Sequence, residues 1–150
     1  MRRKLNLLLC LLKLLVLKGQ APDTELWLFK IETSKSGMTL AEPINITKRE
    51  GYDNQPSFSP DSKKIFYVSV RDDNQADIYQ YDLRHRRTTA VTKTGISEYS
   101  PVLTADGKFI TSVVVENASS QCIHFINPLN GIHEAKLDVD PVGYYTFLNQ

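Results

Sequence analysis

Cysteine is nearly missing from this chain. There are two in 150 residues, Cys10 in an N-terminal apolar stretch and Cys122 alone in the remainder. That pair supplies no disulfide framework, and Cys122 reads as a small, half-buried strand residue rather than a reactive thiol. Glycine is sparse too, seven residues scattered singly, so neither a Gly-rich phosphate loop nor a Gly-x-Ser-x-Gly nucleophile elbow occurs. Charge of one sign is also lacking. Eighteen Lys and Arg against seventeen Asp and Glu leave a net charge of +1, which gives no electrostatic case for nucleic acid or an acidic membrane surface. After residue 20 there is no long apolar run and no 3.6-residue apolar period, which removes the case for helices. What is present, 41% hydrophobic and 23% charged residues, is the make-up of one soluble globular domain with a core of ordinary size.

The first twenty residues stand apart. Met1-Arg2-Arg3-Lys4 is a basic start and residues 5–17 are almost wholly apolar, the layout of a secretory signal peptide. The run is short for a membrane span. Lys13 interrupts it, and cleavage after Ala21 would leave Pro22 first. Residues 1–20 are therefore read as a signal peptide that sends the chain to the periplasm or outside the cell. A retained N-terminal anchor and lipidation at Cys10 stand as alternatives. No stable membrane span is expected beyond that segment.

The remaining sequence repeats itself. Residues 46–83 align without gaps on residues 91–128, with nine identities in 38 pairs: Thr47 with Thr92, Lys48 with Lys93, Pro56 with Pro101, Asp61 with Asp106, Lys63 with Lys108, Ile65 with Ile110, Val68 with Val113, Val70 with Val115, and Ile78 with Ile123. Each copy predicts four short strands. In the first copy these are 55–58, then a Ser59-Pro60-Asp61-Ser62 turn, the β-branched and aromatic 65–70, the alternating 77–83, and 88–92. The second copy predicts strands at 101–103, 109–115 and 121–127, with a turn at 128–131. A period of about 45 residues with four strands is the signature of β-propeller blades, which stack because one blade cannot bury both its apolar faces. The ends fit the same phase. Residues 25–31 match the third strand, 43–47 supply a fourth after a polar hairpin at 32–42, and 144–148 repeat the first strand. The expected organisation is an all-β propeller of antiparallel four-stranded blades within residues 21–150: half a blade at 25–47, blades at 55–92 and 100–137, and an opening strand at 144–148. A propeller typically has about four to eight blades, so the chain reads as part of a longer ring. Its uncovered blade faces and sheet edges predict poor solubility.

The blade pattern is more specific than a generic β repeat. Asn45-Ile46-Thr47, then Asp53-Asn54-Gln55-Pro56-Ser57-Phe58-Ser59-Pro60-Asp61-Ser62-Lys63-Lys64-Ile65-Phe66-Tyr67-Val68-Ser69, then Asp77-Ile78-Tyr79 resembles the TolB-like, WD-repeat-like propeller repeat. The resemblance covers residues 21–150 and is strongest over 45–83. The second copy departs from it, with Thr104-Ala105 for Ser-Pro and Cys122-Ile123-His124 for Asp-Ile-Tyr. The start Ala21-Pro22-Asp23-Thr24-Glu25 is similar to the start of a mature periplasmic member. The resemblance implies a propeller of about six or seven blades in a bacterial envelope, binding a protein or serving a translocation assembly, and no reaction. Fold alone does not assign function.

Candidate chemistry is thin. His85, His124 and His133 show no metal-ligand spacing and read as surface or edge residues. Asp72-Asp73-Asn74 with Asp77 is oxygen-rich, yet it lacks the glycine and closing glutamate of an EF-hand loop and suits a hairpin better. Arg84 to Arg87 is a basic turn without the aromatic platform of a nucleic-acid site. Asn45 and Asn117 head glycosylation sequons that matter only in a eukaryotic secretory host. Tyr99, Tyr144 and Tyr145 suit either a ligand in the channel or packing between blades. One pair is set apart. Asp53 and Glu98 are equivalent residues three positions before the proline that opens the innermost strand. They are expected in a loop at the mouth of the central channel, as an acidic rim for a cationic group, metal or peptide. No cofactor and no resident metal is expected.

The reading is a non-catalytic, exported propeller that scaffolds another envelope protein or peptide. The alternative is an accessory propeller of a larger, serine-peptidase-like hydrolase whose catalytic domain lies elsewhere.

Overall fold

The computed structural model describes residues 22–71 and 74–148. Residues 1–20, with Cys10, lie outside the described residues, as do Asp72 and Asp73 of the oxygen-rich loop. The described residues form strands and no helix. β1 (Trp27–Ser34) and β2 (Gly37–Asn45) make a two-stranded ribbon. β3 (Tyr52–Phe58), β4 (Lys64–Val70), β5 (Ala76–Asp82) and β6 (Arg87–Ala90) make a four-stranded antiparallel meander. β7 (Ser97–Leu103), β8 (Ile110–Asn117), β9 (Ser120–Ile126) and β10 (His133–Lys136) make a second. The register repeats with the sequence: Ile65 pairs with Tyr81 across β4 and β5, and Ile110 with Ile126 across β8 and β9.

Strand β4 is apolar along most of its length because both its faces are covered. Side chains alternate across a strand, so Ile65 and Tyr67 turn one way, into a cluster with Leu26 and Tyr81. Phe66 turns the other way and packs with Ile78 of its own blade and Ile110 and Ile126 of the next. Each such side chain contributes about 1.5–3 kcal/mol on burial, and the second cluster exists only where two blades stack. The backbones also approach closely. Gly131, at φ +71°, lies where a Cβ would stand 2.2 Å from the Val91 carbonyl oxygen, so the β9–β10 turn reaches the preceding blade only as glycine.

Three boundaries differ from the sequence-based expectation. The polar segment 32–42 is mostly strand, because β1 runs to Ser34 and β2 begins at Gly37. A two-stranded ribbon with both faces largely open to solvent needs no apolar alternation. Strands β3 and β7 begin at Tyr52 and Ser97, before their prolines. The ladder there shifts register between Asn54 and Ser57 and between Tyr99 and Val102. Gln55 and Ser100 both sit at φ +52° in these irregularities, so Pro56 and Pro101, which have no N–H to give, fall where the ladder is interrupted. Finally, 144–148 pairs with no strand among the described residues.

Candidate functional site

Because β3 and β7 start early, Asp53 and Glu98 are strand residues rather than loop residues, and both are buried, at 1% and 0% exposure. An exposed acidic rim is therefore not what the fold builds. Each carboxylate instead closes the link between one blade's last strand and the next blade's first. The hydroxyl oxygen of Thr92 accepts the N–H of Ile78 at 2.8 Å, as that of Thr47 accepts the N–H of Leu26 at 3.1 Å. Thr92 then donates its hydroxyl to Glu98 Oε2 at 2.5 Å, and Thr94 donates to Oε1 at 2.7 Å. His133 Nε2 lies 3.1 Å from the same Oε1. Asp53 is one methylene shorter and takes Arg49, which stands where the second copy has Thr94. Arg49 Nη1 is 3.0 Å from Asp53 Oδ2, and its Nη2 donates to the Val70 carbonyl at 2.9 Å. Among the described residues Asp53 Oδ1 is buried without a hydrogen-bond partner. Asp77, the first residue of the expected strand 77–83, lies in β5 and accepts the N–H of Thr94 at 3.1 Å.

Sequence reasoning missed a second group. His124 and His133, expected at the surface or an edge, meet with their Nδ1 atoms 2.9 Å apart, and their rings are edge-to-face. His124 Nε2 lies 3.1 Å from Glu116 Oε1 and 3.4 Å from Cys122 Sγ. Lys136 Nζ caps Glu116 at 2.9 and 3.0 Å. Cys122 is buried, and that burial, reinforced by Glu116, pushes its thiol pKa up. The Lys136 hydrogen bond holds Glu116 below the ordinary carboxylate value. These residues come from three strands, so the sheet register joins them and no linear spacing announces them. The only linear trace is Cys122-x-His124, where alternation puts both side chains on one face.

Tyr145 is packing rather than a channel ligand in this structure. Its phenol oxygen lies 2.7 Å from the Thr111 carbonyl and 2.9 Å from the Ser100 carbonyl. Burial raises its pKa to about 12. On the face that carries the β3–β4 and β7–β8 turns, a cleft of about 340 Å³ opens between the two blades. Phe66, Leu103, Pro128 and Leu129 give it an apolar lining, and Asp61 and Asp106 stand in its wall. Ser59 donates its hydroxyl to Asp61 Oδ1, and Thr104 donates to Asp106 Oδ1, both at 2.7 Å. Those hydroxyls, with backbone N–H groups of Lys63 and Lys108, bring both carboxyl pKa values down to about 2.

No known protein-family profile matches the chain. Among solved structures it superposes on TolB from Acinetobacter baumannii with a TM-score of 0.53 and 22% identity, covering 69% of this chain and 28% of that one. It superposes on a putative TolB from Agrobacterium tumefaciens with a TM-score of 0.55 and 14% identity, covering 77% and 49% respectively. The fold is a TolB-like propeller. At these identities the likeness extends to the architecture, and the chain spans half or less of each TolB structure it matches. Two TolB-like blades and a preceding ribbon are what it contributes to that architecture. Among the described residues no helix is long and apolar enough to cross a membrane.

Proposed function

We propose that this chain is a non-catalytic propeller scaffold, exported by its N-terminal segment to the periplasm or beyond, that holds an extended segment of another envelope protein. The observation that carries the reading is the cleft between the blades. It offers a predominantly apolar lining (Phe66, Leu103, Pro128, Leu129) between two equivalent aspartates, and Leu129 stands 92% exposed beside it. An apolar site with a few fixed polar groups suits a peptide side chain, and the two ionised carboxylates favour basic residues flanking it. The ion pairs of Asp61 with Lys63 and Asp106 with Lys108 are exposed, so they exchange at little cost. Asp53 and Glu98 serve this reading as internal struts, not as the contact surface.

The test is site-specific photo-crosslinking in the producing cell, with the probe at Leu129 and a control at Thr39 on the ribbon. A discrete envelope-protein adduct is expected from position 129 alone, and only when residues 1–20 are present. The same adducts from both positions, or a cytoplasmic adduct only, would sink the reading.

A further inference from the structure

The second blade carries a cluster that neither the stacking of blades nor the cleft explains. Cys122 and His124 project from one face of β9, because alternate strand residues share a face. Glu116 reaches that face from β8, where the ladder shifts register between Val115 and Asn117; such an irregularity re-aims a side chain. One donor atom from each of the three lies within 4.8 Å of the other two. Sγ to Nε2 is 3.4 Å and Nε2 to Oε1 is 3.1 Å. A tetrahedral ion with bonds of about 2.0–2.3 Å to nitrogen, oxygen and sulfur separates its donors by roughly 3.4–3.6 Å. The two separations that His124 makes are thus within a few tenths of an ångström of those around one ion, and the third lies within 4.8 Å.

The surroundings of His124 point the same way. Its Nε2 faces Glu116 Oε1 at 3.1 Å and Cys122 Sγ at 3.4 Å. Its Nδ1 lies 2.9 Å from Nδ1 of His133, and His133 Nε2 lies 3.1 Å from Glu98 Oε1. A carboxylate–histidine link that fixes the tautomer of a further histidine is the outer support that metal-ligating imidazoles use.

We propose that Glu116, Cys122 and His124 bind a zinc-class divalent ion, with the fourth position left to water and with His133 and Glu98 as positioning residues. The donor set of one thiolate, one imidazole and one carboxylate suits a borderline-soft ion rather than calcium or magnesium, which take oxygen. As the ion binds, the Cys122 S–H bond breaks, the sulfur–metal bond forms, and the proton leaves to solvent. Glu116 turns one oxygen to the ion and keeps Lys136 on the other.

The experiment titrates Zn²⁺ into the chelator-treated full chain and records the absorption of the Co²⁺-loaded form. About one zinc ion per chain is expected, with a thiolate-to-cobalt charge-transfer band. Cys122→Ser keeps the size of the side chain and is expected to abolish the band and weaken zinc binding by more than about tenfold. His133→Phe is expected to weaken zinc by about tenfold while keeping the band, as a positioning residue should. His85→Asn, in an exposed turn, leaves both unchanged. Absence of stoichiometric zinc from the wild-type chain, a cobalt spectrum without the thiolate band, or wild-type affinity in Cys122→Ser would each overturn the proposal. The wild-type readings decide the matter even if a variant fails to fold.

Discussion

The backbone N–H of Ser100 donates to Oε1 of Gln55 at 2.8 Å, and the two residues are 45 positions apart. Each occupies the same left-handed backbone position in its own blade, so the first blade grips the second by the residue that the second repeats. Tyr145, a further 45 residues along, reaches back to the Ser100 carbonyl at 2.9 Å. Blade stacking is therefore stitched at its innermost strands by polar contacts that keep the period of the sequence, while the apolar clusters fill the space between.

Gln55 carries two opposed effects that substitution separates. Its side chain holds the next blade, yet its φ of +52° is costly for any residue with a Cβ. Gln55→Ala should lose the cross-blade hydrogen bond and destabilise by about 1–2 kcal/mol. Gln55→Gly loses the same bond but relieves the backbone, and should be about 1 kcal/mol more stable than the alanine variant. Urea unfolding of the full chain measures both, and equal midpoints would contradict the account.

The two buried carboxylates should respond unequally. Glu98→Ala leaves the Thr92 hydroxyl and His133 Nε2 without their carboxylate, while Thr94 keeps the Ile96 carbonyl at 2.8 Å, a loss of about 3 kcal/mol. Asp53→Ala frees Arg49, whose side chain is 23% exposed and keeps its bond to Val70. It also removes the unpartnered Oδ1, so the cost should be about 1 kcal/mol. Denaturant midpoints rank the two variants; a larger loss at Asp53 would mean that the carboxylates do not work as the geometry indicates.

Tyr145 predicts an alkaline limit. Its pKa is raised from 10.0 to about 12 by burial, so the folded state favours the neutral phenol. That contribution is complete below the unfolded value near 10 and is lost as pH rises toward about 12. Melting temperature should fall across that window, and Tyr145→Phe should flatten the fall while lowering stability near neutrality by about 1 kcal/mol. A wild-type profile unchanged by the substitution would show that another group sets the limit.

The order of residues along the chain was enough for the architecture. Nine identities at one spacing, turn chemistry at Ser59-Pro60-Asp61, and strands of period two are local properties, and local properties survive without coordinates. The same reading misjudged where the innermost strands begin. A proline inside a strand looks like a boundary until the register shift that accommodates it is seen. That single misplacement turned Asp53 and Glu98 from buried struts into a supposed rim. The polar ribbon at 32–42 was hidden for a related reason, since a strand pair with two largely solvated faces has no apolar period to detect.

What the sequence could not carry was adjacency across strands. His124, His133, Glu116 and Cys122 meet because β8, β9 and β10 pair in one register and because Glu98 reaches over from β7. Each of those contacts depends on sheet geometry rather than on spacing. The cleft likewise exists only because two turns, 45 residues apart, are brought side by side when apolar blade faces exclude water. Repetition specified the blades; packing them together decided which carboxylates are buried, which histidines touch, and where a cleft opens between the blades.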